Sequence, residues 1–244
     1  MSCVFLRLSL IGAMLSICLA SNANAGLMTF FGEDNAGSSL PVPNSLAAQT
    51  AFLSNLVGVE VEDFESIAVG TKFPLNASFG SDIATLTGTN IIFNTGVLNT
   101  NIAGRFAISG SRYLNVGTDD ALSLQLTFSS PQAAFGFFAM DVGDVDGQLA
   151  LAFDGGPNVV VPHTITANGS ALFFGYINTD NPFTTVQFFN TVGNSDAFGF
   201  DDFTIGRVEQ VVSPVPEPAS MAIFAVLGSI GLIGVRRRRK KTSA

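Results

Sequence analysis

Strict alternation of apolar and polar positions marks the middle of the chain. In Ala121-Leu-Ser-Leu-Gln-Leu-Thr-Phe128, the residues Leu122, Leu124, Leu126 and Phe128 share one side of an extended strand, because successive strand side chains point to opposite faces. Gln148–Phe153 and Phe183–Phe189 repeat the pattern over shorter runs. Ala133–Met140 and Ala171–Ile177 are apolar almost throughout, the signature of central strands covered on both faces. Glycine, asparagine, aspartate and proline separate these runs at roughly ten-residue spacing. The pattern predicts a mainly β chain, folded as an antiparallel β-sandwich of jelly-roll type. One short N-terminal helix precedes it: Asn44-Ser45 is placed to cap a helix running to about Val57, with Leu46, Leu53, Leu56 and Val57 along one side. Gly26 to Pro43 reads as an irregular lead-in.

The two ends follow other rules. Arg7 and the apolar run Leu8–Ala20, followed by Ala23-Asn24-Ala25, read as a secretory signal peptide cleaved between Ala25 and Gly26, which hands the chain to the secretion machinery. Near the other end, Pro216-Glu217-Pro218 forms a rigid element that cannot continue a helix. Ala219–Val235 then runs 17 residues without a charge, a predicted transmembrane helix of about 26 Å against a ~30 Å bilayer core. The cluster Arg236, Arg237, Arg238, Arg239, Lys240 and Lys241 stops transfer and stays in the cytoplasm, which puts the bulk of the chain on the far side of the membrane. The expected organisation is a signal peptide (1–25), a lead-in with the helix (26–57), the sandwich (58–210), a linker (211–218), the membrane helix (219–235) and a basic tail (236–244).

Charge sharpens this picture. Between residues 26 and 218 only Lys72, Arg105, Arg112 and Arg207 are basic, against all 19 acids, for a net charge of −15. Nucleic acid needs a basic footprint and is excluded as a partner. Both cysteines, Cys3 and Cys18, lie in the leader, so no disulfide framework supports the exported domain. Its stability must come from a packed core, to which 21 of the 23 phenylalanines are available.

The tail resembles the PEP-CTERM sorting signal: Val215-Pro-Glu-Pro218, a short glycine-containing apolar segment and an arginine run, in that order at the end of the chain. The resemblance implies recognition by an exosortase, a membrane protease-transpeptidase cutting near Pro216–Pro218, in bacteria that make extracellular polysaccharide. It implies a protein held at the inner membrane until processed, then found at the cell surface or outside, with exopolysaccharide as a possible neighbour. The middle of the chain resembles an ectodomain recurring among PEP-CTERM proteins, through Arg112-Tyr-Leu-Asn-Val116, Ala134-Phe-Gly-Phe-Phe138, Asp141-Val-Gly-Asp144 and Phe198-Gly-Phe-Asp-Asp-Phe-Thr-Ile205. More loosely, Asp63-Phe-Glu65 and Phe200-Asp-Asp-Phe203 are similar to MAM and related jelly-roll domains, whose first and last strands lie side by side.

Candidate chemistry centres on the acids. Alternation places Asp201 and Asp202 on opposite faces of a strand, with one turned inward. An inward carboxylate needs a hydrogen-bond partner or a cation. The favoured reading is hydrogen bonding to turn amides; the competing one is a structural Ca²⁺ shared by Glu65 with Asp201 or Asp202. Asp141, Asp144 and Asp146 fail as an EF-hand, since Val142 and Phe153 occupy required ligand positions, and read as a polar loop. His163 is the single histidine and reads as structural; no nucleophile elbow, phosphate loop or dinucleotide fingerprint is present. No catalytic residue is therefore assigned. The expected role is non-enzymatic, structural or interacting, at the surface or in the matrix. The alternatives are a calcium-dependent glycan-binding module and a carboxylate-dependent polysaccharide hydrolase.

Overall fold

A computed structural model describes residues 26–88, 95–118, 124–144, 147–191 and 196–212. The leader with Ala23 and Ala25, Leu122, Asp146, the Pro-Glu-Pro motif, the apolar segment and the basic cluster lie outside the described residues. Among the described residues, no helix is long and apolar enough to cross a membrane.

In chain order the elements are β1 (Leu27–Asp34), α1 (Pro43–Leu53), β2 (Val61–Glu62), β3 (Leu75–Phe79), β4 (Asp82–Gly88), β5 (Gly96–Leu98), β6 (Tyr113–Thr118), β7 (Leu124–Gln132), β8 (Ala134–Met140), β9 (Leu149–Phe153), β10 (Val159–Val160), β11 (Ala171–Asn178), β12 (Phe183–Asn190) and β13 (Asp196–Gly206), closed by a 3₁₀ turn at Val208–Gln210. Among the described residues, the strands form two sheets. One runs β1-β11-β8-β13-β6-β5, with β2 also paired to β13; the other runs β10-β9-β12-β7-β4-β3. Every pairing is antiparallel.

The alternation read from the sequence builds the core between the sheets. Leu124, Leu126 and Phe128 of β7 are buried there. From the facing sheet, Phe135 and Phe137 of β8 and Phe198, Phe200 and Phe203 of β13 complete it. Phe188 sits at the centre, 5.1 Å from the rings of both Phe137 and Phe200. Strands β8 and β11 are apolar on both faces because their other faces are covered by α1: Ala134, Phe138, Met140 and Phe173 pack with Phe52 of the helix. The helix comes close because Gly136 and Gly175 lie beneath it. A Cβ at either position would fall 2.6 Å from the Phe52 ring.

Two expectations for the N-terminal region change. Residues 27–34, read as irregular, form the edge strand β1 along β11. This run uses both faces, Phe31 packing toward the inter-sheet core and Met28 and Phe30 toward the helix side, so no simple alternation announces it. Asn44 and Ser45 do not cap the helix but lie within its first turn, and the helix ends at Leu53 instead of near Val57. The cap is supplied from a distance: the carboxylate of Asp34, at the end of β1, accepts the backbone N–H groups of Asn44 (3.1 Å) and Ser45 (2.8 Å). A negative group there satisfies orphan amides and complements the helix dipole. The buried face is Ser45, Ala48 and Phe52, while Leu46 is exposed.

Candidate functional site

Strand β13 carries the predicted pair Asp201 and Asp202, and a β-bulge decides their fate. Gly199, Phe200 and Asp201 pair with Met140, Ala139 and Phe138, but Thr204 pairs with Gly136. Three steps on β13 thus match two on β8, and Asp202 adopts a left-handed φ of 48°. One inserted residue resets the alternation. Phe200 and Phe203 consequently both face the inter-sheet core, their ring centroids 6.0 Å apart. Asp201 and Asp202 lie between them and are both buried, at 0% and 7% exposure. The expectation that they point to opposite faces is corrected: the bulge turns both toward one segment of chain.

That segment is the strap from Phe106 to Arg112. The Oδ2 of Asp201 accepts the N–H groups of Ile108 (2.7 Å) and Ser109 (3.2 Å), and its Oδ1 accepts the N–H of Asp202 (2.8 Å). The hydroxyl of Ser109 donates to Asp202. Glu65 holds the far end: its Oε1 accepts the N–H groups of Ser111 (2.6 Å) and Arg112, and its Oε2 accepts the Ser111 hydroxyl. Arg112 returns the contact, its Nη1 donating to the carbonyls of Glu65 and Ile67 (2.7 Å to the latter). Gly110, between the clamps, has φ 57°, and a Cβ there would lie 2.5 Å from the Glu65 carboxylate. Glu62 performs the same service nearby for Phe64 N–H and Ser78 N–H, both at 2.8 Å.

Glu65, Asp201 and Asp202 are therefore linked through one strap, Glu65 and Asp201 by its main-chain amides and Asp202 by the Ser109 hydroxyl. Among the described residues, no three His, Cys, Asp or Glu side chains form a group that could hold a metal ion. Burial, reinforced by the neighbouring Asp202 carboxylate, pushes the Asp201 carboxyl up to about 8 against the pull of its three N–H donors. Burial also raises Asp202. Glu65, nearer solvent, is held below the usual carboxylate range, chiefly by the Ser111 N–H.

A second buried node lies at the other loops. Arg105 Nη1 donates to Asp141 Oδ2 and to the carbonyl of Ala197, both at 3.0 Å, and Gly169 N–H donates to Asp141 Oδ1 at 2.9 Å. Asp141 thus serves a buried ion pair instead of a solvated loop, and burial pushes it up to about 6. Nothing in the sequence pairs Arg105 with Asp141, 36 positions away. His163 is buried; its Nε2 accepts the Leu149 N–H at 3.3 Å, and burial pulls its pKa down. Open clefts among the described residues include one of about 380 Å³ beside the strap at Phe106, Gly110 and Ser111, and two of about 340 Å³. Of these two, one is lined by Phe153, Asp154, Tyr176 and Asn181, the other by Glu60, Asp82, Arg207 and Glu209.

The family model described as the PEP-CTERM protein-sorting motif matches residues 214–240. The chain carries a PEP-CTERM protein-sorting motif. The match takes in Pro216-Glu217-Pro218 and the basic cluster as far as Lys240, and it marks the chain for export and exosortase sorting. No curated protein matches the chain in sequence. Among solved structures, the K2 cleaved adhesin domain of Lys-gingipain is 15% identical, with 61% of this chain and 97% of that chain covered at a TM-score of 0.38. TmCBM61 in complex with beta-1,4-galactotriose is also 15% identical, with 60% and 94% covered at a TM-score of 0.29. Both likenesses are coarse.

Proposed function

We propose that this PEP-CTERM protein is a non-enzymatic structural or interaction component of the cell surface or extracellular matrix. It is tethered through residues 219–235 and released when an exosortase processes the tail. The observation that supports this reading is the use to which the buried acids are put. Asp201, Asp202 and Glu62 spend their oxygens on main-chain amides and a serine hydroxyl, which commits these carboxylates to organising loops. The strand orders β6-β13-β8-β11 and β7-β12-β9-β10 are those of a jelly roll, a scaffold common in adhesive and lectin-like domains. The deciding experiment incubates the processed protein with purified exopolysaccharide of its host. The expected outcome is retention of polymer length with the protein associated with the matrix fraction. Depolymerisation that disappears in Asp201→Asn or Glu65→Gln would replace this reading with a hydrolase.

A glycan-binding role is the second reading, on one observation. Tyr176 stacks on Phe153 at 4.0 Å with an interplanar angle of 15°, and both line an open cleft bordered by Asn181. An aromatic pair beside amides suits a sugar face. Glycan-array binding abolished by Asn181→Ala would support it.

A further inference from the structure

The chain leaves the sandwich through a fixed exit. Residues 210–212 run beside residues 55–57: Val57 N–H donates to Gln210 O and Val212 N–H donates to Asn55 O, each at 2.8 Å, with Leu56 and Val211 directly opposite. Leu56 and Val211 point inward and are buried. Their neighbours alternate outward, so Val57 and Val212 are 59% and 43% exposed, and Val208 in the preceding turn is 43% exposed. The same end of the domain holds the polar cleft. There Arg207 binds Asp82 at 2.7 Å and lies 3.8 Å from Glu209, and Glu60 stands on the cleft wall, so the cleft holds one guanidinium and three carboxylates. The exit face is apolar at its centre and acidic at its side.

Pro216 follows Val212 by four residues and Pro218 by six. At about 3.6 Å per residue, the chain reaches no further than about 14 Å to Pro216 and about 22 Å to Pro218, whatever its conformation. A folded domain of even 100 residues has a radius of gyration of about 13 Å. An enzyme closing its active site around the Pro-Glu-Pro motif is therefore brought against the surface around Val212. A cluster of exposed valines beside net negative charge is poorly suited to an anionic lipid surface and well suited to an apolar, basic protein patch.

We infer that the exit face formed by Val57, Val208, Val212 and the Glu60–Glu209 cleft is a docking surface for the exosortase that processes the tail. The inference rests on the exosortase reading of that tail. The folded domain is then part of the substrate, and processing depends on residues outside the sorting motif.

The test uses the full-length chain in cells. A photoreactive amino acid at position 208 is combined with an epitope-tagged, catalytically inactive exosortase, with position 160, exposed on β10, as control. The expected result is an adduct carrying the tag from position 208 and none from position 160. Adducts with lipid alone, or equal adducts from both positions, overturn the inference. In cells with active enzyme, the Val57→Lys, Val208→Lys, Val212→Lys triple variant slows tail removal by roughly tenfold, as loss of an interface hot spot does, with an unchanged melting temperature. A 20-residue Gly-Ser insert after Val212 abolishes the difference between variant and wild type. Wild-type processing of the triple variant overturns the docking surface. A chain that is still processed after Pro216→Ala and Pro218→Ala overturns the exosortase reading itself.

Discussion

Phe200 and Phe203 share the inter-sheet core, 6.0 Å apart, although they stand three residues apart on one strand. The bulge at Asp202 makes this possible, and it also delivers Asp201 and Asp202 to the strap. Asp202→Ala is expected to cost about 2–3 kcal/mol: roughly 1–2 for an alanine held in the left-handed region and about 1 or more for the lost Ser109 hydrogen bond. Asp202→Asn tolerates that backbone better and should lose less. The midpoint of denaturant unfolding measures both.

Stability should fall as pH rises. Burial and Asp202 raise Asp201 to about 8 in the folded protein. A proton held by the native state but released by the unfolded chain near the ordinary carboxylate pKa stabilises the fold fully below that value, and the contribution is lost as pH climbs through about 8. Asp141, raised by burial to about 6, acts in the same sense over a narrower window. His163, pulled down by burial, acts oppositely: protonating it below its ordinary pKa of about 6.5 costs stability. The melting temperature is therefore expected to be lower at pH 9 than at pH 6, with a flatter slope in Asp201→Asn.

The Glu65 clamp acts locally. Glu65→Gln removes the charge that accepts two strap amides, and because the carboxylate is partly exposed the global cost should stay below about 1 kcal/mol. The visible effect is faster hydrogen exchange at Ser111 and Arg112, by roughly tenfold, with Ile108 and Ser109 unchanged.

Chelation should leave the domain unaltered. Glu65 and Asp201 accept main-chain N–H groups and Asp202 accepts the Ser109 hydroxyl, as the favoured reading over a shared Ca²⁺ expects. Neither EDTA nor millimolar Ca²⁺ is expected to move the melting temperature, and calorimetry should detect no binding. A calcium-dependent rise would return Glu65, Asp201 and Asp202 to the role of ligands.

The approach of α1 depends on missing side chains. Gly175→Ala places a Cβ 2.6 Å from the Phe52 ring, and an overpacked contact of this kind costs about 1–3 kcal/mol. Pairing it with Phe52→Leu should recover part of the loss in the same unfolding measurement.

Much of the candidate site was visible in the chain as chemistry but not as geometry. Glu65, Asp201 and Asp202 stood out because charges are scarce near apolar strands, and the structure does gather them around one strap. What they hold was not visible, because Ile108 and Ser111 offer backbone amides that every sequence possesses. Arg105 and Asp141 form a buried pair across 36 positions with no local signal at either end. Asp34 caps a helix that begins nine residues later, where local capping rules point to Asn44 and Ser45.

The sequence alone determined the features that depend on neighbours along the chain. Alternation placed Leu124, Leu126 and Phe128 on a core face, continuous apolar runs marked β8 and β11 as central, and the order of proline, apolar and basic segments marked the sorting tail. Each follows from the two-residue period of a strand or from linear order. Tertiary structure decided what depends on an extra residue or a distant partner. The bulge at Asp202 reverses the period midway through β13, so that Phe200 and Phe203 both pack against Phe188 of the opposite sheet. The partners of the buried carboxylates were likewise set by which amides the packed sheets left without a strand neighbour.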